Sequence, residues 1–182
     1  MLQMNDLTET MLSREDKFQG HIVRVHVDQV RLPNGNTAPR EVVDHGGGVS
    51  VLALDKDNNV LTVTQYRYVF GRNLLELPAG KLDPGEDPAA GALRELKEET
   101  GAEPGEFRSL GQILPSPGCF GEVLYLYLAT DVTLGDQKPD EDEFLNVERI
   151  PFDEMVRRCL SGEIQDAKTV AAVLKAKLLL GL

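Results

Sequence analysis

The sequence predicts an α+β fold, a mixed β-sheet covered by helices, with an antiparallel β-hairpin arm ahead of it. Two observations point there. Short runs of alternating apolar residues, bounded by turn residues, dominate the 182-residue chain. Helical periodicity, by contrast, is confined to one central segment and two late ones. The length suits one domain with a small appended element. Residues 1–45 read as an N-terminal arm with antiparallel strands and a dimerisation role, and residues 46–182 as the main domain.

Residues 1–16 are polar and carry no strong pattern, which predicts a short helix or a loose arm. Alternation at Ile22, Val23, Val25, Val27 and Val30, a turn at Pro33-Asn34-Gly35 and a resumption at Arg40-Glu41-Val42-Val43 predict an antiparallel hairpin of two or three strands. So thin an element is unstable alone and must pack on the main domain or on a second copy of the chain. After Gly46-Gly47-Gly48, "VSVLALD" and "VLTVTQYRY" read as strands joined by the Lys56-Asp57-Asn58-Asn59 turn, and "LLELPAG" follows. Asp87 can cap a helix and Pro88 suits its first turn. The apolar period then runs through Ala89, Ala92, Leu93 and Leu96 until Gly101 stops it. Strands at "EFRSLGQIL", "GEVLYLYLATDV" and "LNVERI" and helices near 152–161 and 166–180 complete the chain.

Composition narrows the function. The chain is 41% hydrophobic and 27% charged, ordinary for a globular protein, and has no apolar run of the roughly eighteen residues needed to span a bilayer. Its net charge of −11 repels a nucleic-acid backbone. A small phosphorylated substrate remains compatible if divalent cations supply the local positive charge. Cys119 and Cys159 lack the spacing of a zinc site or a disulfide framework. They read as reduced thiols which, with a start lacking a basic-then-apolar leader, give the cytoplasm as the expected location.

The central helix carries the chemistry. At about 100° per residue, Glu95, Glu98 and Glu99 lie within roughly 100° of one another, on a stripe separate from Ala89, Ala92, Leu93 and Leu96. Carboxylates at i, i+3 and i+4 repel and invite a hard cation such as Mg²⁺. A solvated acidic face would explain the three glutamates taken alone. It does not explain the frame around them: Gly80, five residues, Glu86, seven residues, Arg94-Glu95-Leu96, one residue, Glu98-Glu99, one residue, Gly101-Ala102. Arg94 and Glu98, at i and i+4, can orient each other.

This frame resembles the signature of the Nudix hydrolases at every fixed position, with Ala102 smaller than the aliphatic residue common at its end. The resemblance implies an α/β/α sandwich around a mixed sheet and metal-dependent hydrolysis of a nucleoside diphosphate linked to another moiety. It also implies two or three Mg²⁺ or Mn²⁺ ions held by Glu95, Glu98, Glu99 and the Ala79 carbonyl, with Glu86 and Arg94 bracing loop against helix. A nucleotide-sensing domain with a dead Nudix fold would be expected to have lost catalytic glutamates, and none is missing.

"FGRNLLELPAG", "LPSPG" and the hairpin resemble the ADP-ribose pyrophosphatase branch, where a proline commonly stands about sixteen residues beyond the last glycine of the signature. That position is Pro117. In the branch reading Pro117 and Gly118 help set specificity; the plain alternative is a turn. The acidic loop "KPDEDEF" offers Asp140, Glu141, Asp142 and Glu143 for the general base, Glu141 first and Glu143 next as base or metal ligand, unless the loop is only a solvated turn. Arg40 and Arg67 match basic positions that hold phosphate or ribose, with surface ion pairs as the alternative. Glu76 would bond a ribose hydroxyl or merely close its strand. The branch also implies a homodimer with exchanged N-terminal arms. Its adenine-stacking aromatics are in question, since the chain has no Trp and leaves Phe18 or Tyr68 for that role. The expected substrate is ADP-ribose, cleaved to AMP and ribose 5-phosphate; the alternative is a broader range of nucleoside diphosphate sugars.

Overall fold

The computed structural model describes residues 6–138 and 143–181, which fall in two compact units: residues 6–46 with 116–122, and residues 47–115 with 123–138 and 143–181. The first unit is a three-stranded antiparallel sheet of β1 (Thr10–Gln19), β2 (Val23–Arg31) and β3 (Thr37–His45), in that order. The segment 116–122 joins it through Val43, whose N–H donates to the Cys119 carbonyl at 2.8 Å and whose carbonyl accepts from Gly121 at 2.8 Å. The expected helix or loose arm is thus, from Thr10 on, a strand. All ten β1 residues are exposed, so neither face imposes an apolar alternation that could be read in the sequence. Cross-strand ion pairs hold it instead: Arg14 to Asp28 at 2.8 Å and Arg24 to Asp16 at 2.7 Å.

The second unit opens with β4 (Gly48–Leu54), β5 (Asn59–Arg67), β6 (Arg72–Glu76) and β7 (Ala79–Lys81), then helix α1 (Pro88–Thr100) and the short β8 (Ala102–Glu103). It continues with β9 (Glu106–Ile113), β10 (Leu124–Thr130), the short β11 (Thr133–Leu134), β12 (Leu145–Pro151), α2 (Phe152–Ser161) and α3 (Ala167–Leu180). The main sheet runs β12-β5-β4-β10-β9, with β6 on β5 and β7 on β4. It is mixed, because β4 and β10 are parallel while the other pairs are antiparallel. β4 is buried at all seven positions, as a strand covered on both faces must be. Val49, Val51 and Ala53 pack with Ala92 and Leu96 of α1, whereas Leu52 and Leu54 pack with Phe152 and Met155 of α2 and Val173 of α3. The layers are therefore helix, sheet, helix.

Asp87 caps α1 by accepting from the N–H groups of Ala89 and Ala90, both at 3.0 Å, with Pro88 in the first turn. Gly101 ends the helix at φ +69, left-handed backbone that suits glycine. The inward face differs from the expected stripe. Leu93 is exposed, and the buried residues are Gly91, Ala92, Glu95, Leu96, Glu99 and Thr100. Two glutamates therefore lie inside the packed face rather than on a separate solvated one. No described helix is long and apolar enough to cross a membrane.

Candidate active site

The site is built where β7 lies against α1. Pairing of β7 with β4 in the register Ser50 to Ala79 and Val49 to Gly80 fixes the backbone that meets the helix. The Ala79 N–H donates to the Glu99 carboxylate at 2.9 Å. At Gly80 any side chain would collide: a Cβ would stand 2.0 Å from the Glu95 carboxyl carbon. Glycine serves close approach here rather than a turn, since a side chain at position 80 would push the Glu95 carboxylate aside.

Glu99 is 1% exposed and Glu95 is 7% exposed. Burial pushes the Glu99 carboxyl up to about 8; the Ala79 N–H opposes this, while the charges of Glu95 and Glu143 add to it. Glu95 is also raised, by burial first, against the pull of Arg94 and with Glu98 and Glu143 adding repulsion. Arg94 is shared among three carboxylates. It forks onto Glu86 through Nε and Nη2, both at 3.0 Å, and reaches Glu95 at 2.8 Å and Glu98 at 2.9 Å through Nη1. Glu86, bonded to Arg94 and to the Asp83 N–H, is held down at about 2. The loop before α1 is therefore tied to the helix by one guanidinium.

These residues suit a hard divalent cation. The donors are all oxygen, two carboxylates are buried without enough positive charge to keep them at ordinary acidity, and Gly80 clears the approach to one of them. Among the described residues no three His, Cys, Asp or Glu groups already converge as a metal cluster. Glu95 and Glu98 are turned towards Arg94, and Glu99 towards the Ala79 N–H.

The acidic loop approaches the same helix. The Lys138 N–H donates to the Glu98 carbonyl at 2.9 Å, the Gln137 side chain donates to the Glu99 carbonyl at 2.5 Å, and the Gly135 N–H donates to the Gly101 carbonyl at 2.8 Å. This stretch supplies the donors that the last turn of α1 lacks internally. Gln137 carries no motif that would have marked it in the sequence. Glu143 lies near enough to raise both Glu95 and Glu99. Glu141, the first choice for the base, lies outside the described residues, as do Asp140 and Asp142.

Arg67 and Glu76, expected as separate substrate contacts, are paired with each other: Arg67 Nε and Nη2 meet the two Glu76 oxygens at 2.7 and 2.6 Å. Glu76 is 1% exposed and also accepts from Lys168, which the sequence reading did not single out. Burial raises the Glu76 carboxyl, but Arg67 and Lys168 outweigh it, so the net direction is downward. Arg40, Pro117 and Gly118 belong to the N-terminal unit. Arg40 forks onto Glu9 there, and Gly118 has open space where a Cβ would be. Phe18 and Tyr68 are both exposed.

The layered sheet and the Gly80-to-Gly101 frame around buried glutamates define a Nudix hydrolase. The NUDIX domain family matches residues 44–173, and the nucleoside diphosphate sugar hydrolase N-terminal domain family matches residues 9–43; the chain belongs to the Nudix family. Enzymes of this family generally require divalent metal ions. The methanol dehydrogenase activator of Bacillus methanolicus is 41% identical over 167 residues, 91% of this chain and 90% of that protein. The ADP-ribose pyrophosphatase of Bacillus subtilis is 37% identical over 172 residues, 93% of each. The crystal structure of an ADP compounds hydrolase superposes with a TM-score of 0.85 at 23% identity, covering 98% of this chain and 97% of that one, a likeness of fold.

Proposed function

We propose that this protein is an ADP-ribose pyrophosphatase. It adds water across the P–O–P bond of ADP-ribose; the phosphoanhydride breaks, and AMP and ribose 5-phosphate leave. The observation that carries the reading is the pair of buried carboxylates, Glu95 and Glu99, set against the Ala79-Gly80 backbone at the heart of the family signature. The substrate is supported by the ADP-ribose pyrophosphatase of Bacillus subtilis, similar along 93% of both chains.

Glu95, Glu98 and Glu99, with the Ala79 carbonyl, would hold two or three Mg²⁺ or Mn²⁺ ions. When bound, such ions neutralise charge on the diphosphate and make water more acidic. The chain does the rest. Arg94 and Glu86 keep the loop and the glutamates in register. Glu141 or Glu143 takes the proton of the attacking water, a role that suits a carboxylate held within one water of the nucleophile. Arg67, steadied by Glu76, meets a phosphate or ribose oxygen. Arg40, now forked onto Glu9, would contact substrate phosphate or ribose, and Pro117 and Gly118 would contribute to specificity, as the branch resemblance implies. The protein works as a homodimer with exchanged N-terminal strands, a reading supported by Met11, Leu12 and Phe18 standing exposed on a thin edge strand. The free cysteines suit the cytoplasm.

A broader nucleoside diphosphate sugar specificity is the second reading, favoured by the description of the family matched at residues 9–43. A screen of ADP-ribose, ADP-glucose, GDP-mannose, NADH and FAD with Mg²⁺, read as phosphate released by a coupled phosphatase, separates the two. ADP-ribose among the best substrates by kcat/KM supports the first reading. ADP-ribose well below another sugar nucleotide would sink it while leaving the family intact.

A further inference from the structure

Four charged groups form an alternating chain at one end of the main sheet: Arg67, Glu76, Lys168 and Asp166. Arg67 closes β5, Glu76 closes β6, Asp166 caps α3, and Lys168 lies in its first turn. Arg67 forks onto Glu76 at 2.7 and 2.6 Å, Lys168 bonds the same carboxylate, and Lys168 meets Asp166 at 2.9 Å. The neighbouring Thr169 is fully buried; its hydroxyl donates to Asp166 at 2.5 Å and accepts from the Leu77 N–H at 2.9 Å. Two consecutive residues of α3 thus grip two consecutive residues of the strand exit that leads to Ala79 and Gly80.

Burying a carboxylate between cations is weak evidence for stability, because desolvation can cancel the attraction. Exposure along the cluster is graded. The Glu76 side chain is 2% exposed and that of Lys168 is 9% exposed, while the Arg67 side chain is 39% exposed. The buried members end in one guanidinium that reaches water. With Nε and Nη2 committed to Glu76, the plane of that guanidinium is fixed, a pre-organisation that lowers the entropic cost of binding an anion.

We propose that Lys168 is a positioning residue for substrate binding: by holding Glu76 from the first turn of α3, it sets the guanidinium of Arg67. The inference rests on the reading of Arg67 as a contact for phosphate or ribose. Lys168 itself touches no reacting atom; of its two carboxylate partners, Glu76 and Asp166, only Glu76 connects it to Arg67.

The test measures steady-state hydrolysis of ADP-ribose at saturating Mg²⁺ for the wild type, Arg67→Ala, Glu76→Gln, Lys168→Met, Lys168→Arg and the double variant K168M/E76Q. Lys168→Met should raise KM about tenfold, the weight of one charge-assisted bond. Its kcat should stay within about threefold, the pattern of lost ground-state positioning. Lys168→Arg, which keeps the charge, should recover most of the KM. The double variant should match Glu76→Gln alone, because Lys168 then holds only Asp166 and has no carboxylate through which to set Arg67. If Arg67→Ala leaves KM unchanged, the substrate-contact reading fails and this proposal with it. If Arg67→Ala raises KM and Lys168→Met does not, or if the Lys168 and Glu76 effects add, the positioning role alone is overturned. Should Lys168→Met unfold because it leaves the buried Glu76 carboxylate with Arg67 as its one remaining cation among the described residues, the double variant removes that charge. Its KM against that of Glu76→Gln then decides: equality supports the proposal, and a further rise overturns it.

Discussion

Replacing Glu99 with Gln should stabilise the metal-free protein while abolishing its activity. Glutamine keeps the shape of the protonated carboxyl and can still accept the Ala79 N–H, which Glu99 takes at 2.9 Å, but it carries no charge to bury. The Glu99 carboxyl is raised from 4.5 to about 8. Between those values the folded chain holds a proton that the unfolded chain has released, so this group lowers stability as pH rises through the window. At 1.36 kcal/mol per unit, the penalty is about 3 kcal/mol at pH 7 and about 5 kcal/mol once pH exceeds 8. For a chain of this size 1 kcal/mol moves Tm by roughly 2–4 °C, so Glu99→Gln should gain roughly 6–12 °C at pH 7. The gain should vanish near pH 4. Thermal unfolding in the presence of a chelator, scanned from pH 4 to 9, reads this directly. Turnover with Mg²⁺ should fall at least about hundredfold in the same variant. A Tm difference that is independent of pH, or a variant less stable at pH 8 than at pH 5 relative to wild type, would refute the burial argument. Near-normal kcat would refute the metal-ligand role.

Three further outcomes are expected. Gly80→Ala places a methyl where the Glu95 carboxylate now lies, at 2.0 Å, so a flexible but committed side chain must move by more than 1 Å; kcat should fall roughly hundredfold with Tm little changed. Parallel Tm and kcat measurements check this, and unaltered turnover would exclude Glu95 from the metal shell. Glu141→Gln and Glu143→Gln, made separately, should identify the base by a kcat loss of about 10² to 10⁴ in one of them, whereas two normal rates would reduce the loop to a solvated turn. Gln137→Ala removes the donor on the Glu99 carbonyl and should cost about 1 kcal/mol by denaturant titration, with no loss detected if water replaces it fully.

Helix α1 was legible because its signals are local. Asp87, Pro88 and Gly101 are the cap, first-turn and stop residues that the structure uses, and the frame from Gly80 to Ala102 carries the resemblance to the Nudix signature. The rotation of that helix was less legible. Periodicity grouped Leu93 with the core, whereas Leu93 is exposed and Glu95 and Glu99 turn inward, because the β7 backbone offers an N–H and a cleared glycine to carboxylates and nothing comparable to leucine. β1 escaped detection because an edge strand exposed on both faces has no alternation to read.

The family signature is written in the sequence, since its positions lie a few residues apart on one loop and helix, and the reaction type follows from the resemblance it carries. The surroundings of its carboxylates are not. The elevation of Glu99, the further contact of Arg94 with Glu95 and the joining of Glu76 to Lys168, 92 residues away, exist only in the packed fold. Burial and long-range ion pairing depend on which surfaces the sheet and helices bring together, and a pattern that repeats every two or four residues carries no record of a partner ninety residues distant.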